Sequence, residues 1–259
     1  MYPDLFSIGP LAFHTYGLFV AIGFIASLLV TAKMARASGM SLHQVLDMAF
    51  LIVLCAIIGS RVMYILFNLT YYVKNPLDML KFWEGGLVFS GGLMASFLAI
   101  TWYIKRHHLS FWGTADLWAP AAALGQGFGR IGCFMAGCCY GKHTDLPWGI
   151  IFSHPGSLAP LHVALHPTQL YAALSGFIIF LILLWLHPRK QFEGQVTLWF
   201  LILHSCARLL VERFRGDPRG MLPGTDMSVT QLVTLLILVA SVLGLYVMKA
   251  RNEKARCAN

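Results

Sequence analysis

The chain has 259 residues, of which 58% are hydrophobic and only 12% are charged, and its formal net charge is +8. A soluble domain carries roughly 25% charged residues, so a soluble globular fold is excluded and a lipid bilayer is the expected solvent. The positive charge does not indicate nucleic acid, because most Lys and Arg residues lie in short clusters beside apolar runs, where they set topology and meet anionic headgroups.

The predicted elements are apolar windows long enough to cross the hydrocarbon as helices, which takes about 17 to 25 residues. In chain order the windows are 15–33, 46–68, 88–104, 112–136, 169–187, 195–212 and 228–248. The predicted fold class is all-α, a polytopic membrane protein of about seven transmembrane helices. No segment between the windows could form a second sizeable domain, so residues 1–259 are expected to form a single membrane-embedded domain.

The basic residues between the windows fall into two alternating sets. The larger set comprises Lys33, Arg36, Lys105, Arg106, Arg189, Lys190, Lys249, Arg251, Lys254 and Arg256, and the smaller comprises Lys74, Lys81, Lys142, Arg213, Arg215 and Arg219. The larger set should face the cytoplasm. We therefore expect the N-terminus outside and the C-terminus in the cytoplasm.

Arg61, Arg130 and Arg208 lie within or at the rim of apolar windows. An arginine at bilayer depth costs a few kcal/mol unless it is paired or hydrated. Three of them favour a polar cavity with an anionic ligand. The alternative is a structural ion-pair network, for which Asp47, Asp116 and Glu212 are the available carboxylates.

Residues 125–141 (GQGFGRIGCFMAGCCYG) form the densest motif of the chain. Its glycines allow another backbone, or a lipid headgroup, to approach closely. The guanidinium of Arg130 is well shaped to hold a phosphate through two parallel hydrogen bonds. The alternative is a close-packed helix pair in which Arg130 is only an anchor.

Six segments carry a more specific pattern. They are residues 13–18 (FHTYGL), 59–61 (GSR), 83–87 (WEGGL) with 90–93 (SGGL), 129–141, 166–171 (HPTQLY) and 208–215 (RLLVERFR). In order and spacing they resemble the prolipoprotein diacylglyceryl transferase family over nearly the whole chain. The sequence departs from the family pattern where Cys133, Ala136 and Cys138 stand in place of Asn, Asn and Glu, and where Ser90 and His204 stand in place of His and Tyr.

The resemblance implies transfer of a diacylglyceryl group from phosphatidylglycerol to the lipobox cysteine of an exported prolipoprotein, forming a thioether and releasing glycerol phosphate. It also implies a bacterial inner membrane protein whose active site opens toward the outer leaflet and periplasm. The expected partners are phosphatidylglycerol, exported prolipoprotein precursors and the lipid bilayer, without nucleic acid. No cofactor is expected.

The chemistry assigns roles to these residues, because the departing phosphate needs cations placed in advance and the thiol must lose its proton. The expected catalytic residues are Arg208, Glu212, Tyr16, His14 and His204, with Glu212 positioning Arg208 one helical turn away. The expected substrate-binding residues are Arg130, Gly129, Arg61, Arg215, Ser90, Gly91, Gly92, His166 and Gly141. The general base that takes the thiol proton is one of four candidates: His14, Tyr16, His166 and His204. Alternatively, a basic pocket lowers the pKa of the substrate thiol, and no strong base is then needed.

Cys133, Cys138 and Cys139 cluster at the end of the motif, with His143 nearby. These four residues could bind zinc or a copper ion, but their spacing matches no closed structural zinc pattern, so no metal site is predicted. The favoured alternative is that the small, polarizable cysteine side chains fill a tight helix contact. The segment 137–168 is a long loop, expected to lie over the outer mouth of the cavity. Two other functions are alternatives. One is a non-transferase relative that binds anionic lipid or a redox or metal partner through the Cys-rich loop. The other is a small-solute transporter, which is disfavoured because the halves show no pseudo-repeat.

Overall fold

The computed structural model of the protein describes residues 4–8, 11–81, 85–218, 220–221, 224–225 and 227–257. Phe82, Trp83 and Glu84, which belong to or adjoin the predicted WEGGL segment, lie outside the described residues, as does Arg219 of the smaller basic set.

The described chain is mainly helical. The helices are α1 (Thr15–Ala37), α2 (Leu42–Phe67), α3 (Leu69–Lys74), α4 (Phe89–Arg106), α5 (Phe111–Ala136), α6 (Thr168–Leu186), α7 (Gln195–Glu212) and α8 (Val229–Cys257), with 3-10 turns at Pro76–Leu80 and His187–Arg189. Two short antiparallel hairpins complete the described structure, β1 (Asp4–Ile8) with β2 (Leu11–His14) and β3 (Ile150–Ile151) with β4 (Ala164–Leu165).

Every predicted apolar window coincides with a long helix, and the all-α, polytopic fold class is confirmed. Among the described residues, five segments are long and apolar enough to cross a membrane: Thr15–Ala37, Leu42–Phe67, Thr168–Arg189, Gln195–Glu212 and Val229–Lys254. The helix α5 carries Asp116, Pro120 and Arg130, which lower its apolar character. The total of about seven crossings and the sides on which the termini lie stay predictions.

The chain divides into a smaller unit, Ala32–Thr114, and a larger unit, Met1–Thr31 with Ala115–Asn259. The single domain expected from the sequence therefore stays a prediction. In the smaller unit α2 packs closely on α4. A Cβ added at Gly91 would collide with the carbonyl of Gly59, and one added at Gly92 would lie 2.7 Å from the carbonyl oxygen of Ala56.

In the larger unit α5, α6 and α7 share an apolar core. Its fully buried members are Ala119, Ala123, Ile179, Leu183 and Val196. Gly176 lets α6 approach α5, since an added Cβ would lie 3.1 Å from the carbonyl oxygen of Ala123. The three helices are thereby packed around one apolar core.

A buried carboxylate ties α5 to the start of α7. Asp116, which is completely buried, accepts hydrogen bonds from Gly194 N at 2.8 Å, from Thr197 N and Oγ1, both at 2.9 Å, and from Lys190 Nζ at 3.1 Å. The carboxylate thereby satisfies amides at the first turn of α7, which have no partner within the helix. Asp116 is thus a helix anchor rather than an arginine partner, and Asp47 likewise accepts a 2.9 Å bond from the hydroxyl of Tyr103.

The segment predicted as a loop over the cavity mouth has a small core of its own. Phe152, Ala159 and Leu165 are buried together. The indole Nε1 of Trp148 donates to the hydroxyl of Tyr171 on α6 at 2.9 Å. The segment is therefore folded onto the start of α6, and its placement at the outer mouth stays a prediction.

Candidate active site

A pocket lies among α5, α6, α7 and the turns that follow α5 and α7. Its walls carry three guanidinium groups, an imidazole, a thiol and several hydroxyl and amide groups. It is lined by Gln126, Arg130, Cys139, Thr168, Gln169, Ala172, Ser175, Gly176, His204, Ala207, Arg208, Val211 and Arg215. Of the predicted site residues, the structure brings Arg130, His204, Arg208 and Arg215 together here.

Arg208 is held in a fixed position by the next turn of its own helix. Its Nη1 lies 2.7 Å from Oε2 of Glu212, and the two side chains are 15% and 6% exposed. The spacing of four residues puts both groups on one helix face. Ser228 Oγ donates to the other carboxylate oxygen of Glu212 at 3.1 Å. The predicted positioning of Arg208 by Glu212 therefore has the required geometry.

Arg215 is fixed by a carboxylate beyond α7. Its Nε and Nη2 donate to the two carboxylate oxygens of Asp217 at 3.0 and 2.8 Å. This two-pronged arrangement restrains the plane of the guanidinium. The backbone beside Arg215 forms a β-bridge with Gly141, where an added Cβ would collide with the carbonyl of His166. Gly141 thus allows three backbone segments, those of Gly141, His166 and Arg215, to approach one another closely at the edge of the site.

Arg130 differs from the other two arginines. Arg130 is partly buried, and within the part of the chain that the structure describes its guanidinium has no hydrogen-bond acceptor or carboxylate partner. Next to it, a Cβ added at Gly129 would meet no atom within 4 Å. The space beside Gly129 is therefore open, in contrast to Gly127, where an added Cβ would lie 2.8 Å from the ring of Phe177.

The turn after α5 folds two cysteines back over the end of the helix. Gly137 and Cys139 adopt left-handed conformations, with φ of 74° and 60°. As a result the sulfur atoms of Cys133, Cys138 and Cys139 all lie within 4.8 Å of one another. Hydrogen bonds from the Cys133 and Cys138 thiols, together with the charges of Arg215 and Arg130, lower the pKa of the Cys139 thiol despite its burial. His143 is exposed and lies 3.9 Å from Asp145.

Two buried residues at the start of α6 hold this turn, a role that is not predicted from the sequence. Thr168 Oγ1 donates to the carbonyl of Cys139, and Gln169 Nε2 donates to that of Cys138, both at 2.8 Å. Both side chains line the pocket. The buried Oε1 of Gln169 has no hydrogen-bond partner among the described residues. The HPTQLY segment carries one indication of this role. Its Thr168 and Gln169 stand at the start of a predicted apolar helix, where polar side chains that become buried need hydrogen-bond partners.

The candidate bases occupy different places. His204 lines the pocket and stacks on Phe200 with ring centroids 5.8 Å apart. Tyr16 packs against Gly132 of α5, where an added Cβ would lie 3.1 Å from the tyrosine ring. His166 Nδ1 lies 3.3 Å from the hydroxyl of Tyr171, and His14 is exposed at the end of β2. Neither His14 nor His166 is among the described residues that line the pocket.

The remaining predicted binding residues belong to the smaller unit. Arg61 donates to the backbone carbonyls of Asp78, Met79, Gly85 and Gly86 at 2.6 to 3.3 Å, so its guanidinium organises the chain between α3 and α4. Gly91 and Gly92 are explained by the packing of α4 on α2, and Ser90 is exposed at the start of α4. Their roles in substrate binding stay predictions.

The comparisons with known proteins agree with the motifs. Residues 3–247 match the family model of the prolipoprotein diacylglyceryl transferases. The chain is 32% identical to the phosphatidylglycerol–prolipoprotein diacylglyceryl transferase of Clostridium tetani over 253 residues, covering 98% of this chain and 100% of the relative. The proteins of the same name from Geobacter sulfurreducens and Vibrio cholerae are 40% and 37% identical, covering 90% and 93% of this chain and 89% of each relative. The chain belongs to the prolipoprotein diacylglyceryl transferase family.

Proposed function

We propose that this protein transfers the diacylglyceryl group of phosphatidylglycerol to the cysteine thiol of a prolipoprotein. The names of the relatives give the two substrates. The observation that carries the proposal is Arg130, a partly buried residue whose guanidinium has no acceptor among the described residues, in a pocket with two further arginines. Such a group favours an anionic ligand, because a partly buried charge without a partner costs free energy.

In the proposed reaction the thiol sulfur attacks the glycerol carbon that bears the phosphate ester. A carbon–sulfur bond forms, the carbon–oxygen bond breaks, and glycerol phosphate leaves with the bonding electron pair. Arg130 binds the phosphate through its fork of donors. Arg208 and Arg215, whose positions are fixed by Glu212 and Asp217, stabilise the charge that develops on the leaving oxygen.

The thiol proton is taken by His204 in this proposal, since it is the one predicted base among the described residues that line the pocket. Tyr16 borders the site from α1. His14 and His166 remain candidates for contacts with the precursor chain, and Gly129 provides the open space beside the phosphate. Arg61, Ser90, Gly91, Gly92 and Gly141 are kept as proposed substrate-binding residues.

The proposed setting is the bacterial inner membrane, with the site open to the outer leaflet and the periplasm. Among its supports is the uneven distribution of Lys and Arg between the helices, which favours an N-terminus outside and a C-terminus in the cytoplasm. A phospholipid reaches a site of this kind from the outer leaflet, and the exported precursor reaches it from the same side.

The test is thioether formation on a lipobox peptide in phosphatidylglycerol vesicles, measured by the mass of the product. We expect Arg130→Ala to lower the turnover by roughly 100- to 1000-fold, the range for loss of one preorganised charge-stabilising group. Arg130→Lys should recover only part of it, because lysine lacks the planar fork. Arg213→Ala is the matched control, since Arg213 is exposed and does not line the pocket.

Normal turnover by folded Arg130→Ala would contradict the proposed role of this arginine. Absence of product from the unaltered protein, with growth of a transferase-depleted strain not restored, would contradict the function itself. The alternative of a relative without transferase activity is not favoured, because the matched relatives carry the name of the transferase.

A further inference from the structure

The three cysteines at the end of α5 form a compact set of soft ligands. Their sulfur atoms all lie within 4.8 Å of one another, and all three residues are partly buried. One ion that contacts three sulfur atoms at about 2.3 Å from each needs sulfur–sulfur separations of this order. Small side-chain adjustments would therefore suffice to close the site.

The backbone that carries the cluster is held in place. Thr168 and Gln169, each 1% exposed, bond the carbonyls of Cys139 and Cys138 at 2.8 Å. The amide of Cys138 also donates to the carbonyl of Cys133 at 3.2 Å. A preorganised backbone of this kind is what a ligand site requires, since little ordering remains for the metal to impose.

The chemistry of the ligand atoms limits which metal ion can bind. Among the described residues no histidine or carboxylate joins the three sulfur atoms, and a structural zinc site takes four ligands. Soft thiolate ligands suit copper(I), zinc and iron–sulfur clusters, and a set of three sulfur ligands, one short of a structural zinc site, favours copper(I) among them. Arg130 and Arg215 line the same pocket as Cys139, and their positive charges offset the negative charge that three thiolates and a monovalent ion retain.

The geometry points to a copper(I) site formed by Cys133, Cys138 and Cys139 in the wall of the substrate pocket. On binding, the three thiols release their protons to solvent and three copper–sulfur bonds form, without any change of oxidation state. Cys139 belongs both to the cluster and to the pocket lining. The bound ion would therefore lie at the pocket wall, beside the arginines.

The experiment uses the full chain in detergent, reduced, stripped of metal and kept without oxygen. Copper(I) is added in the presence of a coloured copper(I) chelator, and the protein should withdraw one equivalent from it. Cys138→Ser should weaken binding by at least about 100-fold, because the loss of an outer-shell partner alone costs roughly 10- to 100-fold in metal affinity. Cys206→Ser is the matched control, because this exposed thiol on α7 lies outside the cluster.

A second measurement does not depend on a variant that folds. Alkylation of the unaltered protein followed by mass spectrometry should show that copper(I) protects Cys133, Cys138 and Cys139 and leaves Cys206 reactive. Three results would overturn the proposal. The protein would fail to withdraw copper(I) from the chelator, the two variants would lose equal affinity for copper(I), or copper(I) would protect all four thiols equally from alkylation. The proposal would also be overturned by a cluster that forms a disulfide in air and, after reduction, takes up no copper. None of these readouts involves lipid or peptide, so they are independent of transferase activity.

Discussion

Arg208 and Glu212 are a buried ion pair within one helix, and the pair predicts a specific defect. Glu212→Gln keeps the size of the side chain and its ability to accept from Ser228, but removes the charge that lies 2.7 Å from Arg208. We expect turnover to fall by about 100-fold, because a small displacement of a catalytic group has effects of this size. Steady-state kinetics should show the loss mainly in kcat.

The control for this prediction is Glu253→Gln, since Glu253 lies 3.9 Å from Lys249 in a pair whose side chains are 64% and 61% exposed. Exposed pairs of this kind contribute about 0 to 1 kcal/mol. An unchanged kcat in Glu212→Gln would show that the position of Arg208 does not depend on the carboxylate.

Gly127 and Gly129 lie two residues apart, and we expect their substitution by Ala to have opposite effects on the stability of the fold. Gly127→Ala should destabilise the fold, because the added Cβ would lie 2.8 Å from the ring of Phe177. Gly129→Ala meets open space and should stabilise the helix by about 0.5 to 1 kcal/mol. If that space holds the headgroup, Gly129→Ala raises the KM for phosphatidylglycerol.

Thermal unfolding in detergent and lipid titrations separate the two effects. A Gly129→Ala protein of lower stability would show that the glycine serves packing. An unchanged KM would remove Gly129 from the proposed substrate site.

At the scale of helices, the join between α5 and α7 depends on Asp116. Asp116→Ala leaves Gly194 N, Thr197 N and the Lys190 ammonium without their buried acceptor. We expect a loss of about 3 to 5 kcal/mol of stability, the cost of breaking a buried charged network. The melting temperature in detergent should fall accordingly.

Asp145→Asn provides the comparison, because the Asp145 side chain is 97% exposed and surface changes usually stay within about 0.5 kcal/mol. Equal melting temperatures for the two variants would mean that the amides at the start of α7 find other acceptors.

The helices themselves were predictable, while the site between them was only partly so. Hydropathy located each long helix, because crossing a bilayer requires an apolar run. Arg130, Arg208 and Glu212 were also visible, since charge in an apolar run is rare. The partners of Asp116 were not, because Lys190 and Thr197 lie more than seventy residues away and only packing brings them near.

The cysteine cluster likewise depends on contacts that could not be predicted from the sequence. Spacing in sequence did not indicate a ligand site, because the proximity of the sulfur atoms comes from two left-handed residues, Gly137 and Cys139. A left-handed cysteine is uncommon and could not be expected from composition. The role of Gln169 was missed for a similar reason, since its acceptor lies in a turn thirty-one residues earlier.

For the molecule as a whole, the distribution of Lys and Arg predicts an orientation. A peptide tag after the C-terminus should be protected from protease in intact spheroplasts and cleaved after lysis. A tag before the N-terminus should be cleaved in both. Cleavage of the C-terminal tag in intact spheroplasts would reverse the assignment and place the larger basic set outside.

The bond between Ser228 and Glu212 joins the pocket to a residue just before the last helix. The chain is synthesised from its N-terminus, so Arg208 and Glu212 are made before Ser228. A nascent chain halted before Ser228 therefore carries every guanidinium of the pocket but lacks one of the hydrogen bonds that orient them. We therefore expect a chain halted before Ser228 to hold Glu212, and through it Arg208, less rigidly than a chain that extends through α8.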